Sequence, residues 1–464
     1  MLKYEDIEYL KVGLPEDILN LKVNGNFKEA LKLINKRLSE DVPVELKKRL
    51  ELEKYIIVSL PNDYPYSFDE AVKILKEHIK DFKEEELLSL KDEGAVDWIF
   101  IDGQVKFIRR FYNNLLGTRP DVWERLIDRD KITETIKRND KLLDDTIELL
   151  RKEGSLSYFA HLKTSLKIKD EFAQPGKSVR VHLPVPKECR QIKNIKIIST
   201  NPKEKFVAPV DYPQRTVYFE KSLAKDDEFS VEYSYENHVE YVDLDYDNVS
   251  KEQPDFYTGE LPPHIMFTPY IRDLVNDVVD GETNPLKKAR KIYDFITNKV
   301  RYSYVRRYLS ITNIPEYAGV NLKGDCGIQA LLFITMCRYA KIPARWQSGL
   351  YVTPYGASPH DWAQFYVEPY GWLFADPSFG GSALRRGNKE RWNFYFGNID
   401  PFRMVANSDF QKEFLPPKNF LRSDPYDNQI GECEYEDAPL WNDQFVSRTE
   451  VVEMAQNQQV TKFY

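Results

Sequence analysis

The sequence predicts an α+β fold built from four consecutive parts, with a mixed helix-and-sheet core in the third part. Apolar residues recur at helical spacing up to about residue 155, and they alternate from about 158 to 245. A helix that is apolar on nearly every side then begins at Cys326. The length of 464 residues also exceeds one ordinary domain. We therefore expect parts at residues 1–155, 156–250, 251–400 and 401–464.

The first part, residues 1–155, shows helical periodicity. The segments NFKEALKLINKRL, VELKKRLELEKYIIVSL and SFDEAVKILKEHI each place apolar residues three and four positions apart. Ser67, with Glu70 three residues later, has the pattern of a capping box. We expect an all-helical accessory domain, and this domain is the candidate binding site for a protein partner.

The second part, residues 156–250, is expected to be an antiparallel β module resembling a sandwich. Its alternating runs are separated by Gly, Pro, Asn and Asp at intervals of about ten residues. His182 and His238 lie on these strands without a second metal-ligating side chain at suitable spacing, so both are expected to be structural.

Helical periodicity returns in the third part, at IRDLVNDVV and PLKKARKIYDFITNKV. The last part, residues 401–464, is rich in aromatic residues, Pro, Asn and Asp. We expect it to be an irregular extension packed on the core.

Composition argues against several classes of function. The net charge of −8, with both signs interspersed, argues against nucleic-acid binding. No run of 18 apolar residues is present, so a membrane span is not expected. The start of the chain lacks the apolar segment of a secretory signal, and the four cysteines form no CxxC pair. Both features favour a reducing, cytoplasmic location. No HExxH, CxxC or DxDxDG motif occurs, so no metal or cofactor is expected.

Cys326 occupies a position that favours a reactive thiol. Asp325 is a residue type typical of an N-cap, the apolar helix follows, and Pro343 forbids its continuation. Unpaired N–H groups at a helix start stabilise a thiolate, so we expect a cysteine pKa below the usual value of about 8.5. The other three cysteines lack this position and are expected to be unreactive: Cys189, Cys337 and Cys433.

His360 is the histidine best placed to serve as a base for this thiol. It opens HDWAQFYVEPYGWLFAD, a predicted β-hairpin whose second strand ends at Asp376. If residue 367 pairs with 371 around a three-residue loop, Asp376 becomes the same-face diagonal neighbour of His360, about 7 Å away by Cα. A two-residue loop would turn Asp376 to the wrong face. Asp361, the competing carboxylate, is expected on the opposite face from His360. The pairing therefore requires an odd loop or a bulge.

Three segments together resemble the transglutaminase-like superfamily, which has a papain-like Cys-His-Asp core. They are GDCGIQALLFITMCRYAKIPARWQSGLY, HDWAQFYV and GWLFADPSFG, within a resemblance that covers roughly residues 265–400. The resemblance implies a buried nucleophile helix packed on an antiparallel sheet. It also implies Cys326 as the nucleophile, His360 as base and acid, and Asp376 as the carboxylate that orients the histidine.

Other site candidates are weaker. Tyr302 and Tyr304 precede the nucleophile where the family often supplies an aromatic oxyanion donor, but core packing explains them equally well. Trp362 and Trp372 are candidates for the wall of an acyl pocket, although packing within the hairpin is the simpler interpretation. Two late polar residues are expected to support the core rather than contact substrate: Asp400 and Arg403.

The resemblance predicts a thiol enzyme that acts on a peptide or protein substrate through a thioester. Hydrolysis of an amide bond is the leading interpretation, because this chain lacks a calcium loop and has a single upstream β module. Transamidation between Gln and Lys is the alternative, as a protein-glutamine γ-glutamyltransferase performs it. A non-catalytic protein-binding module is the third interpretation, and the intact Cys-His-Asp set argues against it.

Overall fold

The computed structural model describes residues 2–457, and its elements follow the predicted order of helical region, β module and mixed core. The N-terminal region is helical, as its periodicity predicts, and Ser67 and Glu70 form the expected capping box. Its elements are α1 (Glu16–Val23), α2 (Phe27–Leu38), α3 (Val44–Asp63), α4 (Phe68–His78), α5 (Glu84–Asp92), β1 (Trp98–Ile101), β2 (Gln104–Phe107), α6 (Phe111–Leu116), α7 (Pro120–Glu124) and α8 (Arg129–Glu153).

The β1–β2 hairpin shows that the prediction of an all-helical first part is wrong at this point. Asp102 and Gly103 form its two-residue turn, both with positive φ, and Ile101 pairs with Gln104 across it. Asp-Gly between residues of high strand propensity favours this turn, because both central positions need left-handed backbone. The signal is therefore present in the sequence as IDGQ.

The β module consists of two four-stranded antiparallel sheets. Phe219 on one sheet and Phe229 on the other pack with ring centroids 5.8 Å apart, as a sandwich requires. The strands from this part of the chain are β3 (Ser155–Ile168), β4 (Ser178–Pro184), β5 (Ile192–Asn201), β6 (Phe206–Val207), β7 (Thr216–Ser222) and β8 (Phe229–Glu240).

The core contains a five-stranded antiparallel sheet in the order β14-β13-β12-β11-β15, with helix α12 packed against β12. Phe333 of the helix meets Phe365 of the sheet at 5.7 Å between ring centroids. The core elements are α9 (Pro269–Val279), α10 (Pro285–Lys299), β9 (Arg301–Tyr302), α11 (Ile314–Asn321), β10 (Lys323–Gly324), α12 (Cys326–Tyr339), β11 (Ala344–Thr353), β12 (Gly356–Val367), β13 (Gly371–Ala375), α13 (Pro377–Arg385), α14 (Lys389–Phe394), β14 (Phe396–Gly397) and β15 (Arg403–Asn407).

The last part of the chain supplies strands to all three of these sheets, so the prediction of an irregular extension packed on the core is wrong. β15 lies at the edge of the core sheet, whereas β16 (Glu432–Tyr435) pairs with β4 and β17 (Phe445–Gln456) pairs with β3. β17 follows β3 along most of its length and covers a sheet edge. The β16–β4 and β17–β3 pairings join strands more than 200 residues apart in the sequence. Composition alone does not indicate which distant segments pair.

The hairpin that carries His360 and Asp376 has the predicted register. Val367 pairs with Gly371, and the three residues 368–370 form the loop. The odd loop keeps the side chains of His360 and Asp376 on one face.

Among residues 2–457, no helix combines the length and the apolar composition that crossing a membrane requires.

Candidate active site

Cys326 begins helix α12, as the sequence predicts. The carboxylate of Asp325 caps the helix and accepts from the Ile328 N–H at 3.2 Å. Gly327 follows, where a Cβ atom would lie 2.2 Å from Tyr308 Oη and 2.8 Å from Asp361 Oδ2. Glycine therefore lets the start of the helix approach both polar groups closely. The rest of α12 is buried and fixes the position of its first turn.

The Cys326 thiol donates a hydrogen bond to Asp361 Oδ2 at 3.2 Å. Desolvation of the thiol and the negative charges of Asp361 and Asp325 raise its pKa well above the usual value. The expectation that the helix start lowers this pKa is therefore wrong, because burial and two nearby carboxyl groups act in the opposite direction. The thiol is neutral before reaction.

Asp361 belongs to a buried polar network that sequence reasoning missed. Gln429 Nε2 donates to Asp361 Oδ1 at 2.7 Å, while Ser348 Oγ and Asn407 Nδ2 donate to Asp427 Oδ1 at 2.5 and 2.7 Å. Burial and the neighbouring Asp427 raise the pKa of Asp361 well above its usual range. Alternation along the strand shows only which face Asp361 occupies. Its partners lie in distant segments of the chain, and no local sequence pattern identifies them.

His360 and Asp376 form the second half of the site. His360 Nε2 lies 2.7 Å from Asp376 Oδ2, and both side chains are buried. Asp376 also caps α13 by accepting from the Phe379 N–H at 3.0 Å. One carboxyl group therefore orients the imidazole and anchors the next helix.

The protonation states follow from the surroundings of this pair. Burial, assisted by the charge of Arg403, lowers the pKa of His360 despite the opposing effect of Asp376. Burial acts against ionisation of Asp376, but the charges of His360 and Arg403 and two hydrogen bonds bring its pKa below the usual value. An ionised carboxylate can only accept, so the imidazole proton lies on Nε2 and the Nδ1 lone pair is basic.

Arg403 and Asp400 support this pair, in agreement with the sequence-based expectation. Arg403 Nη1 lies 3.1 Å from Asp376 Oδ2, and its Nη2 donates to Asp400 Oδ2 at 2.7 Å. The guanidinium has no exposed surface and its pKa is raised, so it remains charged. It balances the two carboxylates that the core buries.

The structure assembles two pairs rather than one continuous triad. His360 and Asp361 are consecutive on β12, so their side chains occupy opposite faces. The thiol of Cys326 bonds to Asp361, whereas the imidazole bonds to Asp376. The catalytic roles of Cys326, His360 and Asp376 stay predictions.

The two tyrosine candidates have different surroundings. Tyr302 and Tyr304 meet edge to face at 5.5 Å between ring centroids. Burial and the nearby Cys326 and Asp325 raise the pKa of Tyr302 well above its usual value, so its hydroxyl remains a donor. The backbone of Tyr304 exchanges two hydrogen bonds with the Asn114 side chain. Tyr304 therefore attaches the core to the helical region, while Tyr302 lies near Cys326.

The two tryptophan candidates lie in packed surroundings. Trp362 is fully buried, donates from Nε1 to Gln347 Oε1 at 2.9 Å, and lies beside the His360 ring. Trp372 contacts Tyr366 and Arg345 at the other end of the hairpin. These contacts favour the packing interpretation, and a substrate role for either residue stays a prediction.

Among residues 2–457, no group of three or more His, Cys, Asp or Glu side chains is arranged to hold a metal ion.

Comparison with known proteins gives one sequence match and several structural similarities. Residues 272–377 match the Transglutaminase-like superfamily. The fold is similar to a candidate cysteine protease from Cytophaga hutchinsonii, with 16% identity, a TM-score of 0.38, and coverage of 67% of this chain and 94% of that one. It is also similar to the periplasmic domain of TgpA from Pseudomonas aeruginosa, with 12% identity, a TM-score of 0.26, and coverage of 54% and 96%. A search of curated protein sequences finds no match.

Proposed function

Since residues 272–377 of this chain form a domain of the transglutaminase-like superfamily, we propose that the protein is a thiol hydrolase that cleaves peptide or amide bonds. The observation that carries the proposal is the buried His360–Asp376 pair, whose imidazole is neutral and has a basic Nδ1. A neutral imidazole is the form that can remove a proton from a thiol. The nucleophile is Cys326, at the start of the buried helix.

The reaction begins with transfer of the Cys326 proton to His360 Nδ1. The thiolate then attacks the carbonyl carbon, and the C–N bond breaks as His360 returns the proton to the leaving amine. A thioester remains on Cys326. Water, deprotonated by His360, adds to this thioester, and the acid leaves as the thiol is restored. Asp376 holds the imidazole in the required tautomer throughout.

This proposal requires the thiol to exchange partners. In the structure Sγ donates to Asp361, so the thiol must leave Asp361 and reach His360 before the proton moves. Asp361 then acts as the resting partner of the thiol rather than as the base. The Cys326 backbone N–H is the proposed oxyanion donor, with Tyr302 Oη as the side-chain candidate.

Turnover of a glutamine peptide tests the proposal, with and without excess primary amine. We expect ammonia release without amine incorporation, or cleavage of the peptide bond, and loss of both in Cys326→Ala. Cys189→Ala removes another partly exposed thiol and should retain activity. Amine incorporation would favour transamidation instead. Turnover that survives in Cys326→Ala would overturn the assignment, and peptide binding without turnover in the wild type would favour a binding module.

We also propose that the protein works in a reducing compartment such as the cytoplasm. All four cysteines are free thiols, and the proposed nucleophile must stay reduced. Fractionation of the source cells with an antibody to the protein tests this location. Recovery from an oxidising compartment would contradict it.

A further inference from the structure

A cavity of about 630 Å³ lies between the helical region and the core. Residues of α6, α7 and α8 line one side, and residues of β9, β11, β12 and α13 line the other. His360 and Tyr302 belong to the core wall, whereas Cys326 is not a lining residue. The cavity therefore adjoins the proposed catalytic residues without containing the nucleophile itself.

The cavity has an excess of positive charge. Four arginines and one aspartate line it: Arg301, Arg385, Arg386, Arg391 and Asp140. Asp140 is bound by Arg386 and Arg391, each at 2.8 Å. The side chains of Arg301 and Arg385 keep exposed surface, and neither has a carboxylate partner within residues 2–457. Partial desolvation and the neighbouring Arg386 lower the pKa of Arg385, as expected for a cation without a counter-charge.

Two buried polar atoms on opposite walls also have no protein partner. They are Tyr351 Oη on β11 and Asn139 Oδ1 on α8. A buried polar atom without a partner destabilises the folded state. A ligand with polar groups entering the cavity can satisfy both atoms.

We propose that this cavity binds part of the acyl-donor substrate through a carboxylate, which Arg385 and Arg301 recognise beside the scissile amide. The proposal rests on the proposed thiol hydrolase. A guanidinium binds a carboxylate with paired, charge-assisted hydrogen bonds, so an unpartnered arginine at a cavity mouth selects this group. The carboxylate can belong to an Asp or Glu side chain or to the end of a peptide chain. Both sources present the same chemistry.

The net charge of the whole chain opposes binding of acidic peptides, so a preference for them would arise at the cavity. At −8 the protein as a whole repels an acidic peptide. Tighter binding of acidic peptides would therefore require a local positive site. Tyr302 connects that site to the nucleophile, since it lines the cavity and lies near Cys326.

Binding of fluorescent peptides to the full chain carrying Cys326→Ala tests the proposal. One pair of peptides differs only in Glu against Gln beside the scissile position, and a second pair only in a free against an amidated C-terminus. We expect the acid form of at least one pair to bind about tenfold more tightly or better, a factor that corresponds to about 1.4 kcal/mol. The responsive pair identifies the source of the carboxylate.

Substitution at the cavity mouth should remove this preference. Arg385→Met should reduce the acid preference at least fivefold, and Arg385→Lys should retain part of it. Arg272→Met is the matched control, because Arg272 is exposed on α9 and does not line the cavity. Equal binding of acid and amide forms would overturn the proposal, as would an equal loss in Arg272→Met.

The same measurements separate this inference from the proposed hydrolase. If acidic peptides bind selectively and the wild type turns none of them over, the hydrolase fails and the carboxylate site stands. If the wild type cleaves acid and amide forms with equal kcat/KM and binds them equally, the hydrolase stands and the carboxylate site fails.

Discussion

The Cys326 thiol lies close to two carboxyl groups, and both affect its pKa. Asp361 accepts its hydrogen bond and Asp325 caps its helix, whereas Asp376 binds the His360 imidazole. Burial raises the pKa of Asp325 to about 6. The helix start favours the thiolate, whereas burial and the nearby acids disfavour it, and the latter effects prevail. The raised pKa favours the neutral thiol.

Asp361→Asn should make the thiol more acidic. The substitution removes a carboxyl group that can ionise next to Sγ as the pH rises, and a neighbouring negative charge disfavours the thiolate. The rate of Cys326 alkylation by iodoacetamide, followed by peptide mass spectrometry against pH, should therefore reach its midpoint at lower pH. Asp273→Asn, exposed on α9, removes a distant acid and should leave the midpoint unchanged. An unchanged or higher midpoint in Asp361→Asn would contradict the expectation.

His360 should titrate below the usual histidine pKa of about 6.5. The imidazole is neutral above its pKa and protonated below it, so the fraction of active base falls as the pH drops through that value. NMR of the His360 Cε1–H, identified by its loss in His360→Gln, measures the pKa directly. This measurement distinguishes the imidazole from Asp325, whose pKa is raised to about 6. A pKa above 6.5 would show that Asp376 outweighs burial.

At the scale of elements, the site depends on the pairing of β11 with both of its neighbours. Gly349 pairs with His360 on one side and with Val405 of β15 on the other. A Cβ atom at Gly349 would lie 2.1 Å from the Met404 carbonyl oxygen, so only glycine permits this approach. β15 in turn carries Arg403, which holds Asp376. One backbone contact therefore connects the edge strand with the His360–Asp376 pair.

Gly349→Ala should destabilise the core sheet and reduce activity together. The added methyl group clashes with the β15 backbone unless that strand shifts. Such overpacking lowers the free energy of unfolding by about 1–3 kcal/mol. We expect a lower thermal midpoint and a lower kcat/KM. Gly259→Ala is the control, because a Cβ atom there meets nothing within 4 Å. Equal behaviour of the two variants would show that β15 does not constrain the site.

At the scale of the whole molecule, the helical region and the core form the two walls of one cavity. Asp140 and Asp144 on α8 face Arg386 and Arg391, and Asp63 of α3 binds Arg307. Arg391 is buried, and these carboxylates balance its charge. The helical region thus contributes to the candidate substrate site. A separate protein partner for this region stays a prediction.

Asp140→Asn should loosen this junction and weaken substrate binding more than chemistry. Arg386 loses its carboxylate, and Arg391 keeps only Asp144 at 3.3 Å. For a peptide without a carboxylate, which the freed Arg386 does not attract, we expect KM to rise several-fold with little change in kcat, and amide hydrogen exchange in α14 to increase. Asp145→Asn is the matched control, since among residues 2–457 Asp145 pairs with Lys141 on the same helix. A change in kcat alone would place the effect in the catalytic groups instead.

The local pattern of the sequence determined the features that short-range geometry controls. Cys326 begins a helix because a capping Asp precedes an apolar run. The hairpin loop has three residues, 368–370, and this odd number places Asp376 on the face of His360. Only the tertiary structure decided that Asp361 binds the thiol, that Arg403 supports Asp376, and that the last segments supply strands β15, β16 and β17. The physical reason is separation along the chain. Caps and hairpin registers are set by residues a few positions apart, whereas buried charges and sheet edges find partners only when distant segments pack.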